Sequence, residues 1–178
     1  VFDVAGNYTD WAASATTLLV DDDVPAITEV TSLNDNLAYN EVDENGDDQV
    51  IYISVVASEH MRNALTDNSN STLELNVGGI VDNPVVFRGV GQQQVANRDT
   101  LYYTYTVTAG ESSEDLDNVL VTHPGDNLNY VAITSLNIAS GGGALTDLAG
   151  NILPTDLPDP LSDNALAQKK DIIIDTNA

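Results

Sequence analysis

Apolar and polar residues alternate along the middle of the chain. The clearest case is 101–107, in which the odd positions are aliphatic or aromatic while Thr104 and Thr106 are polar. A period of two places successive side chains on opposite faces of a strand. The segment is therefore predicted to be a half-buried strand with Tyr103 and Tyr105 in the core.

The same alternation, or a short run of β-branched residues, marks further strands. They are predicted at 26–33, 51–55, 73–77, 85–88, 131–138 and 171–174. Turn residues separate them, as in Asn45-Gly46 and Gly150-Asn151. Helix is scarce, with a turn or two predicted within 58–65. Short strands at this spacing predict an all-β sandwich of two antiparallel sheets of Greek-key type.

Acidic residues dominate the charge of the 178-residue chain. It has 28 Asp and Glu, five Lys and Arg, no cysteine and a net charge of −23. Such a chain repels nucleic acid, and no apolar run approaches the roughly 20 residues of a membrane helix, so neither nucleic-acid binding nor membrane insertion is expected. Hard divalent cations are the expected partners. A generally acidic surface that serves solubility is the alternative explanation.

A partial internal repeat organises the chain. Asp3-Val4-Ala5-Gly6-Asn7 and Asp147-Leu148-Ala149-Gly150-Asn151 share one pattern. Each is followed by an aliphatic run that ends in an aspartate, Asp21 or Asp175. Residues 1–20 are therefore interpreted as the last strands of a preceding repeat, and 21–178 as one module. A strand that 1–20 adds to the same domain is the alternative.

Several segments resemble, in order, those of a known family. They are 46–55 (a Gly-Asp pair followed by alternating apolar residues), 71–79, 101–111, the Asp-Leu-Ala-Gly-Asn motif and the closing Ile-Asp-Thr. Together they resemble the bacterial immunoglobulin-like repeats of giant surface adhesins, including RTX adhesins secreted by type I systems. The chain departs from the family in its length, in the Pro-rich stretch 154–160 and in the long segment 108–129.

The resemblance implies an extracellular module at the bacterial cell surface that extends an adhesin and supports cell adhesion or biofilm formation. It also implies an immunoglobulin-like sandwich, calcium (Ca²⁺) at the linkers, adjacent repeats as partners, and a monomer. The alternative is a module of the same adhesin that binds a carbohydrate or protein ligand, such as a host or surface glycan. Its loops would come from 108–129 and from the Pro-rich stretch.

Clustered carboxylates are the candidate metal ligands, because calcium takes six to eight oxygen ligands in flexible geometry. The first cluster is at the start of the module and the second in a predicted hairpin; Asp147 and Asp175 come from the repeat. The candidates are Asp21, Asp22, Asp23, Glu41, Asp43, Asp47, Asp48, Asp147 and Asp175. A solvated hinge, a solvated hairpin and a turn capped by Asp147 are the respective alternatives.

Catalysis is not expected. His60 and His123 are the only histidines, and neither lies in a recognisable catalytic motif. Zinc is disfavoured in a chain without cysteine. Trp11 and the tyrosines offer a surface for stacking sugars, but the alternation assigns Tyr103 and Tyr105 to the core.

Overall fold

The computed structural model describes residues 21–61, 71–75, 77–78, 84–85, 90–93, 99–113, 128–130, 132–138 and 145–176. The predicted tail of a preceding repeat at 1–20, together with Trp11 and His123, lies outside the described residues. So does most of the long segment 108–129.

Strands make up nearly all of the regular structure, so the all-β prediction is confirmed. One four-residue helix is present in the described part of the chain. The elements are β1 (Ile27–Ser32), β2 (Ala38–Tyr39), β3 (Val50–Ala57), β4 (Ser71–Leu73), β5 (Val77–Gly78), β6 (Pro84–Val85), β7 (Val90–Gln93), β8 (Thr100–Thr106), β9 (Leu136–Ile138), α1 (Leu166–Lys169) and β10 (Ile173–Ile174).

A four-stranded antiparallel sheet with the order β1-β3-β8-β7 is the largest unit. Its inner face is apolar because the register brings Val55 beside Leu101 and Ile53 beside Tyr103. The predicted inward tyrosines are confirmed, with exposed fractions of 1% for Tyr103 and 0% for Tyr105. Along β8, buried and more exposed side chains alternate from Leu101 to Thr106, as the period of a strand requires.

The remaining strands pair two by two and contribute to the same core. β4 pairs with β9 and β5 with β6, both antiparallel, whereas β10 pairs with β2 in parallel. Leu73, Val77, Leu136 and Ile174 belong to one buried cluster with the inner residues of the four-stranded sheet. Among the described residues, the large sheet and the short pairs thus contribute to one hydrophobic cluster.

The directions of the strands define two ends of the described structure. β1 is antiparallel to β3, and the antiparallel bridge between Val42 and Asp48 makes the path after β2 antiparallel to β3 as well. β1, β2 and β10 thus run in one direction. The start of β1 marks what we term the leading end, and the last residues of β10 mark the opposite, trailing end.

The helix prediction was wrong in its described part. Residues 58–61 are not helical, and Met61 forms a bridge with Asp147 while its side chain lies in the core. The Ser58 N–H donates a hydrogen bond to the Ala26 carbonyl (2.8 Å), which extends the β1–β3 pairing. Tertiary pairing therefore overrides the local preference of this segment.

Helix α1, which the sequence pattern did not predict, covers the free edge of β1. The Val30 N–H donates to the carbonyl of Asn164, just before the helix, at 2.9 Å. Lys169 forms an ion pair with Glu29 (3.1 Å), and Leu166 is fully buried. A covered edge leaves fewer unpaired backbone groups for pairing with another chain.

Three predicted strands are shorter than expected, and of 171–174 only β10 is a strand. The run 73–77 is divided into β4, a single bridge at Leu75 with Tyr130, and β5. In the described part of 131–138 only β9 is a strand. A turn precedes it, closed by a hydrogen bond from the Ser135 N–H to the Ala132 carbonyl (3.0 Å).

The Pro-rich stretch is fastened to the core by Tyr130. The Tyr130 hydroxyl donates to the Pro158 carbonyl at 2.6 Å, and the Asn129 side-chain amide donates to the Pro160 carbonyl at 3.0 Å. Leu157, directly before the first of these anchors, is buried. Burial, followed by the nearby charge of Asp159, raises the pKa of Tyr130 from 10.0 to about 12.

We expect the free energy of unfolding to fall between about pH 10 and pH 12. The unfolded chain loses the Tyr130 proton near pH 10, whereas the folded protein holds it to about pH 12, so deprotonation favours unfolding within this window. Urea unfolding at a series of pH values measures the loss. A Tyr130→Phe variant should show a shallower decline, and an identical decline in the variant would exclude Tyr130 as a cause.

Candidate metal centre

The hairpin at 145–153 is built around the Asp-Leu-Ala-Gly-Asn motif. The Asp147 N–H donates to the Asn151 carbonyl at 3.0 Å, and the Leu153 N–H donates to the Leu145 carbonyl at 2.8 Å. Gly150 has a φ of +105°, a conformation that glycine adopts without steric cost. The predicted turn is therefore confirmed.

Asp147 caps this turn with its carboxylate. Its Oδ1 accepts hydrogen bonds from the N–H groups of Gly150 (2.6 Å) and Asn151 (2.8 Å), and its Oδ2 accepts one from the Asn151 side-chain amide (2.8 Å). Burial alone raises the pKa of Asp147, but the hydrogen bonds together outweigh burial and hold that pKa below its ordinary value. Asp147 is fully buried.

Asn151 ties the start of the module to this hairpin. Its side-chain amide donates to the carbonyl of Asp23 at 2.9 Å and to that of Asp21 at 3.2 Å. Asp21 and Asn151 are 130 positions apart in the sequence. The Asp23 N–H in turn donates to the Asp21 carboxylate at 3.2 Å. These contacts fix the Asp21 segment beside the hairpin at the leading end.

A third carboxylate, that of Glu59, joins the two aspartates. Glu59 follows the end of β3, two positions before the Met61–Asp147 bridge. Carboxylate oxygens of Asp21, Glu59 and Asp147 all lie within 4.8 Å of one another. We call this group the leading-end carboxylate cluster.

Like charges act on each other within this cluster. Burial, followed by the negative charges of Asp147, Asp21 and Asp23, raises the pKa of Glu59 above its ordinary value. The ionised form of Glu59 is therefore disfavoured in the absence of a compensating cation. A divalent cation among the three carboxylates would reverse this effect, because it attracts all of them.

The donor set of the leading-end carboxylate cluster suits a hard cation. All three side chains supply oxygen, and calcium accepts carboxylates with one or two oxygens in irregular geometry. Three carboxylates supply about three to six of the six to eight oxygens that calcium takes, with water able to complete the set. The cluster holds no sulfur or imidazole ligand, which disfavours a softer metal such as copper or zinc.

The fold thus brings together two of the predicted ligands, Asp21 and Asp147. The two aspartates that follow Asp21 are not part of this group. Asp22 and Asp23 are exposed, and neither belongs to the cluster. Asp23 contributes its charge to the field at Glu59 and its carbonyl to Asn151. The three adjacent aspartates of the sequence therefore have different roles.

The acidic hairpin 41–48 closes on itself at the trailing end. Asp43 Oδ1 accepts hydrogen bonds from the N–H groups of Asn45 (2.7 Å) and Asp47 (3.0 Å), and Gly46 has a φ of +85°. These backbone hydrogen bonds, first from Asp47 and then from Asn45, hold the pKa of Asp43 below its ordinary value. Asp43 therefore caps a tight turn.

No second group of three converging carboxylates occurs among the residues that the structure describes. Calcium binding by Glu41, Asp43, Asp47 and Asp48 stays a prediction. The same holds for Asp175, whose N–H donates to the Tyr39 carbonyl at 3.0 Å and which bridges Ser112.

Glu59 was missed in the sequence analysis. It stands alone between Ser58 and His60, in no acidic cluster and in no repeat motif. Its place beside Asp147 follows from the pairing of Met61 with the hairpin, a contact between residues 86 positions apart that no local pattern signals.

Three of the tyrosines considered for stacking a sugar are inaccessible to a ligand. Tyr103, Tyr105 and Tyr130 are buried and offer no ring for stacking a sugar, as the alternation indicated for the first two. His60 is exposed. In the part of the chain that is described, no helical segment has both the length and the apolar character that crossing a membrane requires.

Comparison of the chain with protein-family models, with curated proteins and with solved structures gives no match.

Proposed function

We propose that this chain is a calcium-stabilised extender module of a bacterial surface adhesin, with an immunoglobulin-like sandwich as its fold. The single observation that carries the calcium part is the convergence of Asp21, Glu59 and Asp147 within 4.8 Å. The adhesin context rests on the order of the sequence motifs and on the internal repeat.

The strand order supports the immunoglobulin-like fold. In that fold the first, second, fifth and fourth main strands form one sheet, and the third, sixth and seventh form the other. β1-β3-β8-β7 matches the first sheet, with β2 as a short extra strand. β4 pairs with β9 as the third and sixth strands do, and the Leu128 N–H donates to the Ile172 carbonyl (2.7 Å) beside the last strand.

A cation at the leading end joins three separate parts of the chain. Asp21 belongs to the segment that leads into β1, Glu59 follows β3, and Asp147 lies in the hairpin. Holding all three at once fixes the direction in which the chain enters the module. In a tandem array this stiffens the joint between neighbouring modules and keeps the array extended.

Binding a cation in the folded state alone stabilises that state by mass action. Calcium at 100 times its dissociation constant adds about 2.7 kcal/mol, which corresponds to roughly 5–10 °C in the melting temperature of a domain of this size. We therefore expect calorimetry of the chelator-treated protein to show a rise of this order in millimolar calcium, reversed by chelator.

Glu59→Gln should separate the repulsion among the three carboxylates from their binding of calcium. Without calcium the variant should melt at or above the wild-type temperature, because one of the mutually repelling charges is gone. With calcium it should lose most of the gain, because a charged ligand is missing. Glu74→Gln, the same change at a glutamate outside the cluster, is the control and should keep the full gain.

The outcome of these variants also locates the site. A full calcium gain in Glu59→Gln that disappears in Asp47→Asn would move the site to the hairpin 41–48. Absence of any calcium-dependent shift in the wild type would overturn the calcium proposal while leaving the fold proposal intact.

A further inference from the structure

The strand β10 is held on one side by β2 at the trailing end. The Ile173 N–H donates to the Leu37 carbonyl at 3.1 Å, and the Asp175 N–H donates to the Tyr39 carbonyl at 3.0 Å. The two strands run in parallel, with Ile173 opposite Ala38. The pair is short, so its own hydrogen bonds are few.

On its other side β10 is held by residues 110–113. The Ser113 N–H donates to the Ile174 carbonyl at 3.0 Å, and the Ile174 N–H donates back to the Ser113 hydroxyl at 2.8 Å. Ser112 forms an antiparallel bridge with Asp175. A serine side chain thus replaces a backbone acceptor that an ordinary strand would supply.

Thr176 completes this contact with its side chain. Its hydroxyl accepts a hydrogen bond from the Gly110 N–H (2.8 Å) and donates one to the Glu111 carbonyl (2.8 Å). We call residues 110–113, with their contacts to 174–176, the trailing latch. Glu111 fastens the latch to β8, because its carboxylate accepts a hydrogen bond from the buried Tyr105 hydroxyl at 2.6 Å.

We propose that the trailing latch is a force-bearing clamp that keeps β10 in place when tension acts along the chain. In the described part of the chain Asp21 lies at the leading end and Thr176 at the trailing end, so tension between these two residues pulls along the strand direction. Hydrogen bonds between strands lie across that direction. Tension therefore loads the bonds on both sides of β10 together, in shear, instead of breaking them one after another.

The clamp rests on the proposed function, because only a module under tension needs a strand that resists being pulled out. It does not depend on calcium, because the trailing latch and the leading-end carboxylate cluster lie at opposite ends and share no residue. Its test can therefore be made in chelator, and its failure is distinguishable from failure of the calcium proposal.

The test is constant-force unfolding of single molecules of the full chain, held at both of its ends in chelator. Thr176→Val keeps the shape of the side chain but removes its two hydrogen bonds, and we expect unfolding about tenfold faster at the same force. Ser113→Ala, which removes one acceptor, should show a smaller acceleration in the same direction. Thr104→Val, on β8 outside the latch, should unfold at the wild-type rate.

A second direction of pulling distinguishes a clamp from a contact that is merely stabilising. The chain has no cysteine, so Asp163→Cys provides a unique attachment at an exposed position before α1. Tension between the first residue and position 163 bypasses β10, and Thr176→Val should then unfold no faster than its parent. Equal acceleration in both directions would overturn the proposal.

Hydrogen exchange gives a readout that needs no variant. The amides of Gly110, Ser113, Ile174 and Asp175 should exchange only through global unfolding, as expected for a latch that does not open locally. Exchange of these amides well ahead of the β3 and β8 amides would contradict a clamp.

Discussion

Replacing Ile53 with alanine is expected to lower the free energy of unfolding by about 2–5 kcal/mol. Ile53 is 1% exposed and lies in β3 between Ser32 of β1 and Tyr103 of β8. The substitution removes apolar contact and leaves a cavity in a close-packed core, which relaxes only in part. Urea unfolding followed by circular dichroism measures the loss.

The adjacent residue provides a matched control. Tyr52 points to the opposite face of the same strand and is 48% exposed. Tyr52→Ala removes a larger side chain, yet we expect it to cost less than about 1 kcal/mol, because surface positions tolerate substitution. Costs in the reverse order would mean that β3 has the opposite face towards the core, since a shift of one residue exchanges the two faces.

Glu111→Ala is expected to cost roughly 1.5–3 kcal/mol, the range for hydrogen bonds to charged groups. Glu111 is 6% exposed, and its Oε2 accepts hydrogen bonds from the Tyr105 hydroxyl (2.6 Å) and the Thr108 N–H (2.8 Å). The fully buried Tyr105 depends on this acceptor. Its pKa is raised by burial, then by the hydrogen bond to Glu111 and the charge of Glu111.

Glu111→Gln is the control that separates hydrogen bonding from charge. Both donors share one carboxylate oxygen, so the amide oxygen of glutamine can accept both bonds, and a much smaller loss is expected. A double-mutant cycle with Tyr105→Phe measures the coupling of the two side chains. A coupling near zero would show that the short contact contributes nothing to stability.

Much of the local structure followed from the sequence. The alternation in 101–107 identified the inward faces of Tyr103 and Tyr105, and both are buried. The Asp-x-x-Gly-Asn motif identified a turn, and Gly150 has the positive φ that such a turn uses. These features depend on residues that are neighbours in the chain, so a local pattern contains the information.

The candidate site followed only in part. The acid run and the repeat identified Asp21 and Asp147 as candidate ligands. The other seven candidates, Asp175 included, lie outside the leading-end carboxylate cluster. Acid runs are common in a chain with a charge of −23, so a run of charge does not distinguish ligands from solvated residues.

What the sequence determined by itself is the all-β class, the inner and outer faces of the long strands and the tight turns, because each depends on the period of side chains along one short segment. What only the tertiary structure decided is which segments meet: Glu59 beside Asp147, α1 along β1, and β10 between β2 and the trailing latch. These tertiary contacts join residues that are far apart in the chain. They are set by how the apolar faces of the whole molecule pack into one core, which no single segment specifies.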